Sequence, residues 1–210
     1  MAGWQETIRL ISSVWFFPRK AVRRILDEGL PWPYLLPFVF IFGISFTMDQ
    51  FSFRELADFF DLTDLLLIAL LLGIGIGPLF WMIYSGVFFG LGRLCRGRGR
   101  WRDVQSAVAA AMVPSTAKLV FWMMQLVIFG EETWKEFTPR IDTSFFLLVA
   151  FFFFLLIDLI FTVWTIVILA GAVSAAHRFP LWMGILMVFF GVPLVWAVFK
   201  YGFNIVIMPM

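Results

Sequence analysis

Apolar residues fill this chain in five long runs, near 31–48, 65–92, 104–129, 144–176 and 180–199, parted by short polar stretches. About 20 residues of α-helix cross the hydrocarbon of a bilayer. The first and fifth runs are close to that length. The second and fourth exceed it, which predicts tilt or projection beyond the lipid. None alternates with the period of a barrel strand, and in hydrocarbon a helix satisfies its backbone alone. The expected fold class is all-α: a polytopic membrane bundle of five transmembrane helices with an amphipathic interfacial helix at the N-terminus. The expected division is a cytoplasmic amphipathic and basic segment over 1–30 and a five-helix transmembrane domain over 31–210.

Two shorter stretches carry a helical period instead of a continuous run. In "WQETIRLISSVW", Trp4, Ile8, Ile11 and Trp15 form one stripe, with Gln5, Glu6, Arg9, Ser12 and Ser13 elsewhere. Pro18 suits a helix start, and "RKAVRRIL" sets cations beside Val22, Ile25 and Leu26. Two readings stand for this segment: a helix on the inner leaflet with its cations toward anionic headgroups, or an amphipathic helix packed against the bundle. "FSFRELADFFDL", with Phe53, Leu56 and Phe60 on one face, predicts a short surface helix.

Charge then sets the orientation. Arg9, Arg19, Lys20, Arg23 and Arg24 precede the first run, Arg93, Arg96, Arg98, Arg100 and Arg102 follow the second, and Arg178 follows the fourth. The other side has only Arg54, Lys135, Arg140 and Lys200, among the acidic residues Asp49, Glu55, Asp58, Asp61 and Asp64, then Glu131, Glu132, Glu136 and Asp142. The excess of Lys and Arg places the N-terminus in the cytoplasm and the C-terminus outside a cell membrane. Five crossings require opposite termini, so count and charge agree. The first thirty residues lack the compact apolar core and cleavage site of a signal peptide.

Composition narrows the chemistry. The chain is 62% hydrophobic and 20% aromatic, and 14% of its residues are charged, against roughly a quarter charged in soluble domains. Cys95 and His177 are each the single residue of their type, which excludes an internal disulfide and leaves no ligand set for a metal. Ser174 lies three residues from His177, but nothing in the sequence supplies an orienting group or an oxyanion site. No catalytic residue, cofactor or metal is expected, and no nucleic-acid partner.

The stretch "MVPSTAKLVFWMM" (112–124) places Lys118 near the middle of the third run, and Asp158 falls near the middle of the fourth. An unpaired charge at that depth costs about 2.5–3.5 kcal/mol on insertion scales. The expectation is an ion pair between Lys118 and Asp158, with no other charge deep in a span. Its readings are a proton or ion relay, a pair that specifies the fold, or a lysine that snorkels. Pro114 and Ser115 predict a helix kink that aims Lys118 inward. Gly73, Gly75, Gly77 and Pro78 weaken the second run at its centre and permit either close helix packing or a gate. The loop "RLCRGRGRWRD" (93–103) is the densest basic surface. It is read as a topology determinant or as a contact for anionic lipid or an acidic partner.

Several of these stretches together carry a likeness. "WFFPRKAVRRILDEGLPWPYLLP", "WRDVQSAVAAAMVPS", "VWTIVILAGAVSAAHRFP" and, more faintly, "GIGPLFW" follow one another in an order that resembles the YIP-domain family. That resemblance implies five spans with a cytoplasmic N-terminus. Arginine and tryptophan usage and the short N-terminal segment are similar to bacterial members. For eukaryotic relatives it implies vesicle trafficking with small GTPases, and for some bacterial relatives an accessory subunit of an ABC-type exporter.

The function expected is non-catalytic: an accessory or scaffold subunit of a membrane transport or trafficking assembly. Its partners would be the bilayer, anionic lipids of the inner leaflet, and another membrane protein, either an exporter or a second copy. The alternatives are a small transporter or channel using the region of Lys118 and Asp158, and a lipid-organising membrane protein.

Overall fold

The computed structural model describes residues 4–29 and 32–207, and the side chains of residues 9–29, 33–198 and 201. Its α-helices are α1 (Trp4–Ser13), α2 (Pro18–Asp27), α3 (Leu36–Phe53), α4 (Leu62–Leu94), α5 (Trp101–Ala111), α6 (Ser115–Phe129), α7 (Pro139–Thr143), α8 (Phe145–His177) and α9 (Leu181–Ile207). No strand occurs among the described residues. Five helical segments are long and apolar enough to cross a membrane: Leu36–Phe53, Leu62–Leu94, Trp101–Trp134, Phe145–His177 and Leu181–Val198. The described residues group into two compact units.

The first unit comprises residues 1–35, 80–111 and 166–210. In it Pro18 starts α2 at a position that needs no N–H donor. Ala21, Val22 and Ile25 are buried, and α2 packs against α5 while Arg23 and Arg24 stay exposed. The apolar stripe of α2 is therefore used within the protein, and the face left outside is the basic one. In α1 and the turn after it, Leu10 and Val14 are buried, whereas Ile11 and Trp15 are half-buried. The buried edge is thus one residue away from the expected stripe, whose Trp4 and Ile8 side chains lie outside the described residues. Ala107, Ala110 and Ala111 give α5 a buried small-residue face, and the Trp81 Nε1–H of α4 donates to the Gln105 carbonyl at 2.8 Å. On α9, Gly184 sits against the Ala170 carbonyl and Ser174 of α8, and Gly191 against the Phe88 ring.

The second unit comprises residues 36–79 and 112–165. Its central pairing is α3 with α6. Met48, Phe51, Ala57, Leu65, Ala69, Trp122 and Trp134 form a buried cluster around it. Between lipid-covered helices there is little hydrophobic drive to associate, so approach depends on small residues and shape. At the α3–α4 crossing, a Cβ on Gly43 would fall on the Gly73 carbonyl oxygen and 2.5 Å from the Gly77 amide nitrogen. A Cβ on Gly73 would lie 2.7 Å from the Ile44 amide nitrogen, and Gly77 abuts the Val39 carbonyl. Gly75 faces open space. α4 runs unbroken through Pro78.

Three expectations need correction. The apolar pattern ends the first run near 48, but α3 continues to Phe53, which brings Asp49 into a span. The surface helix expected over 51–62 is instead the end of α3 followed by a single 3-10 turn, Leu56–Asp58. That turn is entered through Glu55 in the left-handed region (φ 54°). At Pro114 and Ser115 the chain does more than kink. α5 ends at Ala111, residues 112–114 form a turn, and α6 begins at Ser115. Pro114 has no N–H to continue a helix, and the Ser115 and Thr116 N–H groups bond back to the Met112 and Val113 carbonyls at 3.0 and 3.1 Å. After α6, Glu132 accepts the backbone N–H groups of Arg140 and Ile141 at 3.1 and 3.0 Å, which caps the short helix α7.

The glycine crossing yields a prediction. Gly73→Ala and Gly77→Ala should each destabilise by about 1–3 kcal/mol through overpacking, with loss of monodisperse protein on size exclusion in detergent. Gly75→Ala should be neutral or slightly stabilising, since alanine is the better helix former by up to about 1 kcal/mol. Equal tolerance at all three would contradict close packing.

Candidate functional site: an intramembrane charge cluster

The break at Pro114 places Lys118 in the first turn of α6. One turn on, Trp122 falls on the same side of the helix. Both reach Asp49 of α3. The Lys118 Nζ lies 2.7 Å from Asp49 Oδ2, and the Trp122 Nε1–H donates to Asp49 Oδ1 at 2.9 Å. Lys118 Nζ also lies 3.0 Å from Asp158 Oδ1 of α8. One ammonium thus joins three helices through two carboxylates.

The three charged groups differ in exposure. The side chains of Lys118 and Asp49 are 15% and 18% accessible, against 36% for Asp158. The first-turn N–H groups of α6 are taken up by the Met112, Val113 and Pro114 carbonyls, so the two carboxylates are left to meet the ammonium. The Ser45 hydroxyl of α3 donates to the Ser115 carbonyl at 3.2 Å, a second polar tie between α3 and the start of α6. Fully ionised, two carboxylates against one ammonium leave a single excess negative charge.

The structure therefore brings Lys118 and Asp158 together, and it adds a partner that the sequence reading assigned to an outer connector. Asp49 makes the shorter contact with Lys118 and carries the second donor, Trp122. The available signals were the i, i+4 spacing of Lys118 and Trp122 and an acidic residue directly after Met48. Neither points to the other without the fold.

The remaining candidates separate clearly. Arg93, Arg96, Arg98, Arg100 and Arg102 are all exposed, with the Arg93 guanidinium 5.2 Å from the Phe89 ring centroid. Ser174 and His177 do not engage each other: the Ser174 hydroxyl donates to the Gly171 carbonyl, and His177 Nε2 lies 3.1 Å from the Phe88 carbonyl. Glu55, Asp58 and Glu136 bring carboxylate oxygens within 4.8 Å of one another. All three are exposed to water, and Asp58 accepts the Glu136 N–H at 3.1 Å.

A family model described as the Yip1 domain matches residues 12–203, nearly the whole of the helical chain. The chain belongs to the Yip1-domain family. No curated protein and no solved structure matches it. All the residues of the charge cluster lie inside the matched Yip1 domain, as do the candidate spans up to Val198. This Yip1 domain is a multi-pass membrane protein of apolar helices, held in one of its units by an ion-pair network that sits within the spans.

The geometry ranks the cluster's members. Lys118→Met strands two carboxylates and should cost about 3 kcal/mol, the scale for breaking a buried pair from one side. Asp49→Asn should lower the melting temperature in maltoside micelles more than Asp158→Asn, because Asp49 is the less exposed and holds two donors. Trp122→Phe should cost about 1 kcal/mol for the lost hydrogen bond. Finding Asp158→Asn the more damaging aspartate variant would overturn this ranking.

Proposed function

We propose that this Yip1-domain protein works by association, as an accessory subunit of a membrane transport or trafficking assembly, and carries out no chemistry of its own. One observation carries the reading. α8 is the most hydrophobic of the candidate spans, and only 6% of its apolar window is buried within the protein. Phe152, Phe153, Leu155, Leu156, Leu159 and Ile160 are all exposed. Lipid alone would satisfy those apolar side chains. It would not complete the partners of Asp158, which stands among them 36% accessible and meets Lys118 through Oδ1, in a cluster with excess negative charge. A carboxylate left partly open on such an apolar face calls for a second donor.

The occupant proposed is a transmembrane helix of another membrane protein that presents a cation or hydrogen-bond donor at the depth of Asp158. Such polar contacts between membrane helices contribute up to about 1–2 kcal/mol each and set register as much as affinity. The positive-inside rule supports a cytoplasmic N-terminus in a cell membrane, with the arginine loop at 93–103 on the cytosolic side. Family membership supports a role in membrane trafficking or with an ABC-type exporter, as the sequence resemblance implied.

A second reading draws on the same exposure. A small transporter would use the partly open Asp158 as an ion or proton site, and a flux assay in liposomes holding this protein alone separates the two. The association reading expects no flux above that of empty liposomes.

Site-specific photo-crosslinking in native membranes tests the association directly. A photoreactive residue at Leu155, one turn before Asp158, should give a discrete adduct with a different membrane protein, and one at Val127, exposed on α6, should not. Adducts of the chain only with itself would make the occupant a second copy. Lipid adducts alone at both positions would contradict the reading.

A further inference from the structure

The loop after α4 reads Cys95-Arg96-Gly97-Arg98-Gly99-Arg100, and its alternation has a geometric cause. Gly97 and Gly99 are buried, while Arg96, Arg98 and Arg100 are exposed. The glycines close on the His177 ring. A Cβ on Gly97 would lie 2.6 Å from Nδ1, one on Gly99 2.8 Å from Nδ1, and one on Gly92 2.6 Å from the same atom. His177 is 1% exposed. Its Nε2–H donates to the Phe88 carbonyl, since a carbonyl only accepts. The Phe179 ring stacks on it at 5.5 Å between centroids. The Arg98 N–H donates to the His177 carbonyl at 3.3 Å. The imidazole is thus a post around which the loop is wound, and it directs the arginines outward.

Two of those arginines meet two others. Arg98 and Arg100 line a cavity of about 680 Å³ together with Arg23 of α2 and Arg178, which follows α8; Asp27 and Asp103 are the acidic members of its wall. Asp103 accepts the Arg100 N–H at 2.9 Å and so is engaged at the start of α5. Among the described residues no ion pair joins either aspartate to these guanidinium groups. Four guanidinium groups against two carboxylates leave an excess of two positive charges in one concavity.

Arg178 adds a separate observation. It occupies the left-handed region (φ 60°) at the C-terminal cap of α8. There the Phe179 N–H donates to the Ser174 carbonyl at 2.8 Å and the Arg178 N–H to the Ala175 carbonyl at 3.2 Å. Glycine takes that conformation with less strain. An arginine in its place carries that backbone strain and supplies a guanidinium to the cavity.

We propose that this cavity is a recognition site for a phosphate group. Guanidinium forks match phosphate oxygens in pairs, and the excess charge complements an anion of one or two negative charges. The cavity is larger than a phosphate, so it also takes part of the group that bears it. That group is a phospholipid headgroup or a soluble phosphate ester. The site does not depend on the association through α8.

Titration calorimetry of the full chain in phosphate-free maltoside micelles tests this, with glycerol 3-phosphate and micelle-dispersed phosphatidylglycerol as probes. Saturable binding of at least one probe is expected, without competition from acetate at matched ionic strength. Saturation by the lipid alone identifies a headgroup site, and saturation by both identifies the phosphate itself as sufficient. Arg98→Gln combined with Arg178→Gln should weaken binding at least tenfold. Arg96→Gln combined with Arg102→Gln, which removes the same charge from positions outside the cavity, should change it less than twofold. Arg178→Gly controls for folding: the melting temperature should hold or rise while affinity falls. No saturable binding of either probe, equal losses in the two double variants, or full affinity in Arg178→Gly would overturn the proposal.

Discussion

An ammonium inside a helix that must cross hydrocarbon has to find its counter-charges within the protein, and in this chain that requirement falls on Lys118. The helix restarts after Pro114, so Lys118 stands in the first turn of α6, whose N–H groups are already bonded to the Met112, Val113 and Pro114 carbonyls. Asp49 and Asp158 supply its counter-charges, and they come from different helices. Meeting the one charge therefore fixes α3 and α8 against α6 in register as well as in contact. A slip of one residue in any of the three would leave a charge in lipid, at about 2.5–3.5 kcal/mol or more. Buried ion pairs often do little for net stability. Here the alternative to pairing is not water but hydrocarbon, which makes the pair more valuable as a register device than as a source of free energy.

Packing around the cluster follows from the same solvent. Lipid does not drive helices together, so the second unit relies on close approach at Gly43, Gly73 and Gly77 and on aromatic faces. Trp134 meets Phe51 edge-on at 5.5 Å and lies 6.0 Å from Trp122. Trp122 does two things at once: its ring is in the core and its N–H holds Asp49. The first unit shows a related economy. There the lone histidine takes the space that three glycines leave open, and the arginines between them are turned outward.

How much of this was legible in the sequence depends on the length scale of each signal. Five apolar runs survive as five candidate spans because hydropathy over about 20 residues is insensitive to a single polar position. The same averaging hid Asp49. A carboxylate at the edge of an apolar run looks like the start of a connector, and only a partner on another helix makes it part of a span. Lys118 and Asp158 were visible because they sit in mid-run, where a charge is conspicuous. The bend at Pro114 was legible as a disturbance, but its size was not, since one proline is compatible with a kink or with a full restart. The arginine–glycine alternation was visible as composition. Its meaning depended on His177, about eighty residues further along.

A multi-pass Yip1-domain protein with an interhelical charge cluster gains from it a fixed arrangement of helices and leaves a partly exposed carboxylate on α8. The most direct measurement of the underlying claim is a double-mutant cycle on Asp49→Asn and Lys118→Met, with unfolding free energies determined in lipid nanodiscs. Direct pairing predicts a coupling of about 1 kcal/mol or more, with the double variant more stable than the sum of the single losses implies. Losses that add to within about 0.3 kcal/mol would mean that the two side chains do not meet in the bilayer.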